Sequence, residues 1–253
     1  MWFRRDLRAF DNAALFHALK SCAHVHCVFV FDKAILDLLP RQDRRVEFIR
    51  ESLVALDAEL HAVAGQAGAG LIVSHAVASE EIPRLAKELH VQEVFANHDD
   101  EPDALARDAR VRGALAEAGI GFQTYKDHVI FERSEVLTQM GKPFGVFTPY
   151  KNAWLKKIDA FYLRSYHVGK YIKSLTARPA KYQRSVPTLA DMGFEPTNLS
   201  SLHVPTGSPG GLALFEDFFD RMDRYDEARN FPAVKGPSYL GVHLRFGTVS
   251  IRQ

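Results

Sequence analysis

Over the first 125 positions, short unbroken apolar runs alternate with stretches in which apolar residues recur every three or four positions. Apolar, β-branched or aromatic runs occupy 24–31 (HVHCVFVF), 70–74 (GLIVS), 92–96 (QEVFA) and 120–124 (IGFQT). Helix-period segments fill the gaps at 11–20, 43–63, 79–89 and 102–118. In DRRVEFIRESLVALDAELHAVAG the residues Val46, Ile49, Leu53, Leu56 and Leu60 mark one helix face, and Gly65 supplies a stop. Strands alternating with helices through short connections predict parallel strands in a doubly wound α/β sheet. The opening MWFRRDLR reads as the tail of a fifth, first strand. One or two residues are few for a central strand, where five or six are usual, so the expectation is that the true start lies upstream.

The rhythm breaks after about residue 126. Residues 165–207 lack sustained periodicity and carry Pro179, Pro187, Pro196 and Pro205 with Gly169, Gly193 and Gly207, the composition of a long connecting segment. Helical signal returns at 210–226 and again from 238. In the final stretch GPSYLGVHLRFGTVSIRQ, Pro237 and Ser238 suit a first turn, Leu240, Leu244 and Val249 suggest an apolar stripe, and no stop signal is evident.

Composition narrows the class. The chain is 47% hydrophobic and 25% charged with 18 Phe, enough to bury a sizeable core. No run of 18 apolar residues is present, the charged N-terminus does not fit a signal peptide, and two cysteines fit a reducing compartment. The cytoplasm is the expected location, with no membrane partner. Charge is uneven: residues 1–145 carry net −5 and residues 146–253 net +6. Six basic residues and no acid lie within 160–190, which points either to a polyanion partner or to a solvated linker.

Several clusters invite chemistry. CAHVHC (22–27) offers soft and imidazole ligands, but it runs straight into VFVF and reads as a core strand. ANHDDEP (96–102) lies at the carboxyl end of a strand, where α/β sheets bind ligands; the other reading is a solvated loop opening an acidic helix start. Arg4, Arg5 and Arg8 in WFRRDLR suit bidentate anion binding, or equally ion pairs that lock an interface. GVFTPYKNAWLKK (145–157) interleaves aromatic and basic residues, which serves nucleic acid or, more simply, packs a helix through Trp154. No G-x-G-x-x-G follows a strand, and neither a glycine-lysine-serine phosphate loop nor G-x-S-x-G occurs, so dinucleotide-binding and hydrolase readings lack support.

Taken together, WFRRDLRAFDNAAL (2–15), VFVFDKAIL (28–36), FIRESLVALDAEL (48–60), ANHDDEPDALARD (96–108), VFTPYKNAWL (146–155) and YDEARNFPAVKGPSYLGVHLRFGTVSIRQ (225–253) resemble the DNA photolyase/cryptochrome family, in family order. The resemblance implies a Rossmann-like antenna-chromophore domain with a five-stranded sheet over 1–126. It further implies an interdomain connection over 127–207 and, over 208–253, the first helices of an all-α FAD-binding domain. It also implies light-driven repair of cyclobutane pyrimidine dimers by electron transfer from reduced FAD, with damaged DNA as partner and a full-length monomer. The alternatives are a cryptochrome-type photoreceptor without repair activity, or a non-catalytic fragment.

By the same resemblance, the FAD contacts fall on Tyr225 and on Pro237, Ser238, Tyr239, Leu240 and Gly241, and a DNA contact falls on Arg229. The family departures are Pro237 for a common threonine, Gly241 for a common serine and Asn230 for a common aspartate. The folate-contacting Asn-Glu pair of some photolyases is not matched by Asp103-Ala104-Leu105, which leaves the antenna chromophore open. No catalytic or metal-ligating residue is assigned. With the FAD site incomplete, the isolated chain is expected to be inactive, and to be poorly soluble or disordered beyond about residue 165.

Overall fold

Cys27–Asp32 (β2) buries all six of its residues, as a continuous apolar run covered on both faces requires. The computed structural model describes all 253 residues and places β2 among four other parallel strands: β1 (Trp2–Phe3), β3 (Leu71–Ala76), β4 (Glu93–Asn97) and β5 (Gly121–Tyr125). β2 pairs with β3 from Cys27↔Leu71 to Asp32↔Ala76, and β4 with β5 from Glu93↔Gly121 to Asn97↔Tyr125. β1 pairs with β2 only at Trp2↔Val28 and Phe3↔Phe29, and its other side lies against β4. The order is β3-β2-β1-β4-β5, with the ladder interrupted between β1 and β4 because two residues are too few to carry it.

Side-chain alternation along β2 builds one core layer on each face. Phe29 and Phe31 join Phe3 in the layer covered by α1 (Ala13–Ser21) and the long α3 (Arg44–Ala64), following α2 (Lys33–Leu36), a single turn. Val28 and Val30 join Trp2 and Ile72 beneath α4 (Ala78–Glu88) and α5 (Pro102–Glu117). Helix α3 follows its sequence pattern: Asp43 caps it by accepting from the Arg45 N–H at 2.8 Å, Val46, Leu53, Leu56 and Leu60 are buried, and Gly65 ends it at φ 62°. One carboxylate, Asp32, accepts from the Ala34 N–H at 3.2 Å and the Ala78 N–H at 3.1 Å, so β2 caps two helices at once.

The connecting segment is docked along part of its length. Val168, Leu175, Val186, Met192 and Phe194 are buried in the α1/α3 layer, held by short 3-10 turns. Val25 forms an isolated parallel bridge to Leu175, and β2 begins at Cys27, three residues later than the apolar run predicts. Helix α6 (Phe147–Lys157) is the exception. None of its residues is buried, Trp154 is only half-buried against the Phe131 ring edge at 5.6 Å, and Phe147 is 73% exposed. Trp154 is therefore not the buried anchor that the sequence suggests.

The helical signal at 210–226 resolves into α7 (Gly207–Phe219), packed on α3, then a 3-10 turn and the single turn α8 (Tyr225–Ala228). The final helix, α9 (Gly241–Phe246), starts later than residue 238 and does stop: Gly247 ends it at φ 64°. That glycine is required twice over. Its conformation is left-handed, and a Cβ there would stand 2.6 Å from the Asp6 Cα.

His243 anchors α9 to α7 and α3. It is fully buried, shares a 2.6 Å hydrogen bond with the Thr248 hydroxyl through Nδ1, and meets the Phe48 ring edge-on at 5.3 Å. Burial holds its pKa down to about 4, so the folded state keeps the imidazole neutral. The unfolded chain takes up the proton near pH 6.5, so stability is complete above that pH and falls as pH drops toward 4, by about 3 kcal/mol in all. Urea denaturation across this range should show that slope, and His243→Phe should flatten it.

Candidate functional site

Two parts of the molecule concentrate polar chemistry: the carboxyl ends of β1 and β4, and the segment Tyr225–Gly241. At the first, Asp6, Asn12 and Asn97 are buried together. The Asn97 side-chain amide donates to Asp6 Oδ2 at 2.6 Å and to Asn12 Oδ1 at 2.9 Å, while its carbonyl oxygen accepts from the Ala14 N–H at 2.9 Å. The rest of ANHDDEP is equally committed. His98 pairs with Glu132 at 2.8 Å, Asp99 and Glu101 pair with Arg5 at 3.1 and 3.0 Å, and Asp100 pairs with Arg133 at 3.2 Å. These side chains are paired with Glu132, Arg5 and Arg133 rather than presented as free ligand groups.

The arginines of WFRRDLR act as interface locks. Arg4 grips both Asp108 oxygens at 2.6 Å, stacks over the Trp2 ring at 4.8 Å and donates to the Asn97 carbonyl. Arg5 donates to the Arg245 carbonyl at 3.3 Å, and Arg8 to the Gly247 carbonyl at 3.0 Å. Arg8 also meets Asp127 at 2.6 Å, and Arg252 meets the same carboxylate at 2.8 Å from another direction. Burial alone would raise the Asp127 pKa, but the two guanidinium groups outweigh it and hold the carboxyl below its ordinary value. Asp127 additionally accepts from the Ala13 N–H at 3.0 Å, at the first residue of α1. Arg252 reaches Asp11 as well, at 3.1 Å.

The residues predicted to touch cofactor or DNA lie on a separate, open face. Tyr225 begins α8, is 38% exposed and packs edge-on against Phe218 at 5.8 Å. The Arg229 guanidinium stands over the Tyr225 ring at 5.6 Å, so the structure brings these two predicted residues together. Pro237, Ser238 and Tyr239 form the loop before α9, Leu240 is its buried N-cap and Gly241 its first residue. Tyr239 has φ 57° and is half exposed. The Ser238 hydroxyl accepts from the Leu240 N–H at 3.4 Å. No atom lies within 4 Å of where a Gly241 Cβ would sit, so the start of the helix is sterically open.

Sequence reasoning missed the residues that shape this loop. Arg221 donates from one nitrogen to the carbonyls of Lys235, Gly236 and Pro237 at 2.8, 2.8 and 2.9 Å, and from its other terminal nitrogen to Asp217 at 2.9 Å. Gly236 brings the loop onto α8: a Cβ there would meet the Ala228 carbonyl carbon at 2.7 Å and the Arg229 nitrogen at 2.9 Å. The Gly-Pro pair at 236–237 is the signal that could have exposed this turn. Arg221 carried no signal, because its three acceptors are backbone groups 14 to 16 residues away.

A protein-family model described as DNA photolyase matches residues 1–167. A deoxyribodipyrimidine photo-lyase of Synechococcus sp. is 32% identical over 255 aligned residues, covering 100% of this chain and 51% of that protein. Cryptochrome-1 of Mus musculus is 26% identical, covering 99% of this chain and 42% of that protein. The crystal structure of a bacterial class III photolyase from Agrobacterium tumefaciens superposes with a TM-score of 0.82 at 28% identity, covering 98% of this chain and 50% of that one. The chain thus spans about half the length of the relatives it matches.

Asp127→Ala should cost about 3–5 kcal/mol in denaturant unfolding, since it leaves Arg8 and Arg252 buried without their shared partner. Glu101→Ala, half exposed in its pairs with Arg5 and Arg245, should cost less than about 1 kcal/mol in the same assay. Gly236→Ala should force the loop off α8, read as faster proteolytic cleavage between residues 229 and 240 with the α/β half unaffected.

Proposed function

The chain belongs to the DNA photolyase family, and on that premise we propose that it serves light-driven repair of cyclobutane pyrimidine dimers as the antenna-side part of a photolyase. The observation that carries this reading is the match of the whole chain to about half of a photo-lyase, coupled with an open face at Tyr225–Gly241 where the family's FAD contacts would fall. Residues 1–126 would form the antenna unit, 127–207 the connection and 208–253 the start of the FAD-binding helices.

The family binds FAD, and the residues present fit one edge of such a group. The α9 start leaves the N–H groups of Gly241 and Val242 without a partner, as a phosphate contact would require. Ser238 adds a hydroxyl, Tyr225 and Tyr239 add exposed rings, and Pro237 withholds a donor. Reduced FAD, when bound, supplies the electron that opens the cyclobutane ring. This chain's own part is to hold the phosphate end at Tyr225 and Pro237 to Gly241, and to offer Arg229 to the DNA backbone, a contact that weakens with salt. Extruding a dimer from the duplex costs less than extruding a normal pair.

The antenna chromophore would not be held by the folate contact, since Asp103-Ala104-Leu105 stands where the family's Asn-Glu pair would lie. A flavin antenna, a deazaflavin antenna and an empty pocket all stay open under this reading. No helix is long and apolar enough to cross a membrane; a cytoplasmic location and a monomeric whole protein belong to the same proposal. A second reading, a cryptochrome-type photoreceptor without repair, draws support from the match to Cryptochrome-1 over 99% of the chain.

The test compares blue-light repair of a dimer-containing oligonucleotide by the 253-residue protein alone and after mixing with the C-terminal half of the Synechococcus relative. We expect no repair by the chain alone, and bound FAD with light-dependent repair in the complemented protein. Tyr225→Ala with Ser238→Ala should lower flavin retention several-fold. Repair by the chain alone would overturn the incomplete site. A flavin-loaded complemented protein that leaves dimers intact would favour the photoreceptor.

A further inference from the structure

Helix α7 closes with Asp217, Phe218 and Phe219, and Arg221 stands two residues past its end. A carboxylate and an arginine four positions apart would ordinarily form an exposed pair worth little. Here the Arg221 side chain is only 15% exposed, lies over the Phe218 ring at 5.3 Å, and reaches into the loop ahead of α9. Its Nη2 meets Asp217 Oδ2 at 2.9 Å, while Nη1 donates to three successive carbonyls, those of Lys235, Gly236 and Pro237, at 2.8, 2.8 and 2.9 Å. Lys235 Nζ meets the other Asp217 oxygen at 2.7 Å. Because α7 is packed on α3, the loop is referenced through Asp217 and Arg221 to the molecule's own core.

Three carbonyls turned toward one nitrogen decide where the loop's N–H groups go. No peptide bond is cis, so each N–H points opposite to the C=O of its own plane. The plane holding the Lys235 carbonyl carries the Gly236 N–H, which is bonded to the Val234 carbonyl at 2.7 Å. The plane holding the Gly236 carbonyl carries no N–H, because Pro237 follows. That leaves the plane of the Pro237 carbonyl, whose N–H belongs to Ser238 and is aimed away from Arg221. The next residue, Tyr239, has φ 57°, a left-handed conformation that costs free energy outside glycine and persists only where its surroundings hold it. Arg221 holds the chain before it, and the buried Leu240 holds the chain after it.

We propose that Arg221 is a positioning residue for the phosphate end of the cofactor: it sets the peptide planes of 235–238 before the cofactor arrives, so that the Ser238 N–H already faces the site. This rests on the reading that Pro237 to Gly241 meet the FAD phosphates. Arg221 acts through the loop, since both of its terminal nitrogens are committed to carbonyls and to Asp217. Preorganisation of this kind has a measurable size. If the released loop holds the competent arrangement one-tenth of the time, the apparent dissociation constant rises about tenfold. Lysine keeps the positive charge but lacks the planar fork, so it cannot hold Asp217 and three carbonyls together. Arg221→Lys therefore separates positioning from simple attraction for an anion.

The test takes two readings on this variant. In the 253-residue protein, NMR hydrogen exchange of the buried Gly236 amide should speed up about tenfold in Arg221→Lys, with the β2 amides unchanged. In the protein complemented with the C-terminal half of the Synechococcus relative, titration with FAD should give a dissociation constant raised by the same order. Faster Gly236 exchange with unchanged FAD affinity overturns the proposal and leaves Arg221 a local brace. Unchanged Gly236 exchange overturns it whatever the FAD titration gives. If the β2 amides also speed up, Asp217→Asn, which keeps the arginine and removes only its anchor, takes both readings in its place, and the same outcomes decide. Complemented wild type that takes up no FAD overturns the reading of 225–241 and this proposal with it. FAD uptake by the wild type with equal affinity in the variant overturns the role of Arg221 alone.

Discussion

A single buried carboxylate, Asp127, holds the two ends of the chain to the sheet. Arg8 follows β1 and Arg252 follows α9, and the two guanidinium groups meet the two oxygens of Asp127, one each. A carboxylate removed from water is tolerable only when such partners surround it. Here the partners are residues 244 positions apart in sequence, so the electrostatic requirement is also a topological one. Arg8 further donates to the Gly247 carbonyl, and Arg252 to the backbone of Asp11 and Asp127. The helical segment therefore meets the α/β half through oriented hydrogen bonds as well as apolar area.

The apolar part of that junction runs through α3. Its inner face fills the core layer beneath β1 and β2, while Phe48 meets His243 and Phe246, and Ser52 accepts from the Gly207 N–H at 3.1 Å. Gly210 and Gly211 allow α7 to approach this far, since a Cβ on Gly211 would stand 2.8 Å from the His243 ring. Small residues on α7, one long helix and a neutral histidine together make a close-packed seam. Beyond it, Phe219, Phe231 and Tyr239 stay exposed.

Much of this was legible in the residue pattern, because strands buried on both faces and helices with one apolar face announce themselves locally. β2, α3 with its Gly65 stop, and the alternation of five parallel strands with helices follow from such signals. The stop at Gly247 was not read, because its reason lies in the backbone of Asp6, far away in sequence. ANHDDEP reads as a solvated loop more readily than as a ligand site, and composition cannot say whether its carboxylates face arginines of the same chain. Arg5, Arg133 and Arg245 do face them. The role expected of the segment 225–241 rests on family resemblance alone. Its shape depends on Arg221 binding three backbone carbonyls, and no side-chain pattern records that.

The Arg8–Gly247 and Arg8–Asp127–Arg252 contacts also set an order of events during synthesis. A ribosome adding 5–20 residues per second needs roughly 12–50 s to travel from Arg8 to Arg252. Asp127 emerges about halfway and can neutralise Arg8, yet it must then wait for its second cation. During that interval the nascent α/β half holds a carboxylate short of one partner, and the Gly247 carbonyl that Arg8 needs does not yet exist. Cotranslational folding of the sheet can begin early, but its first loop reaches its final geometry only after the last helix has emerged.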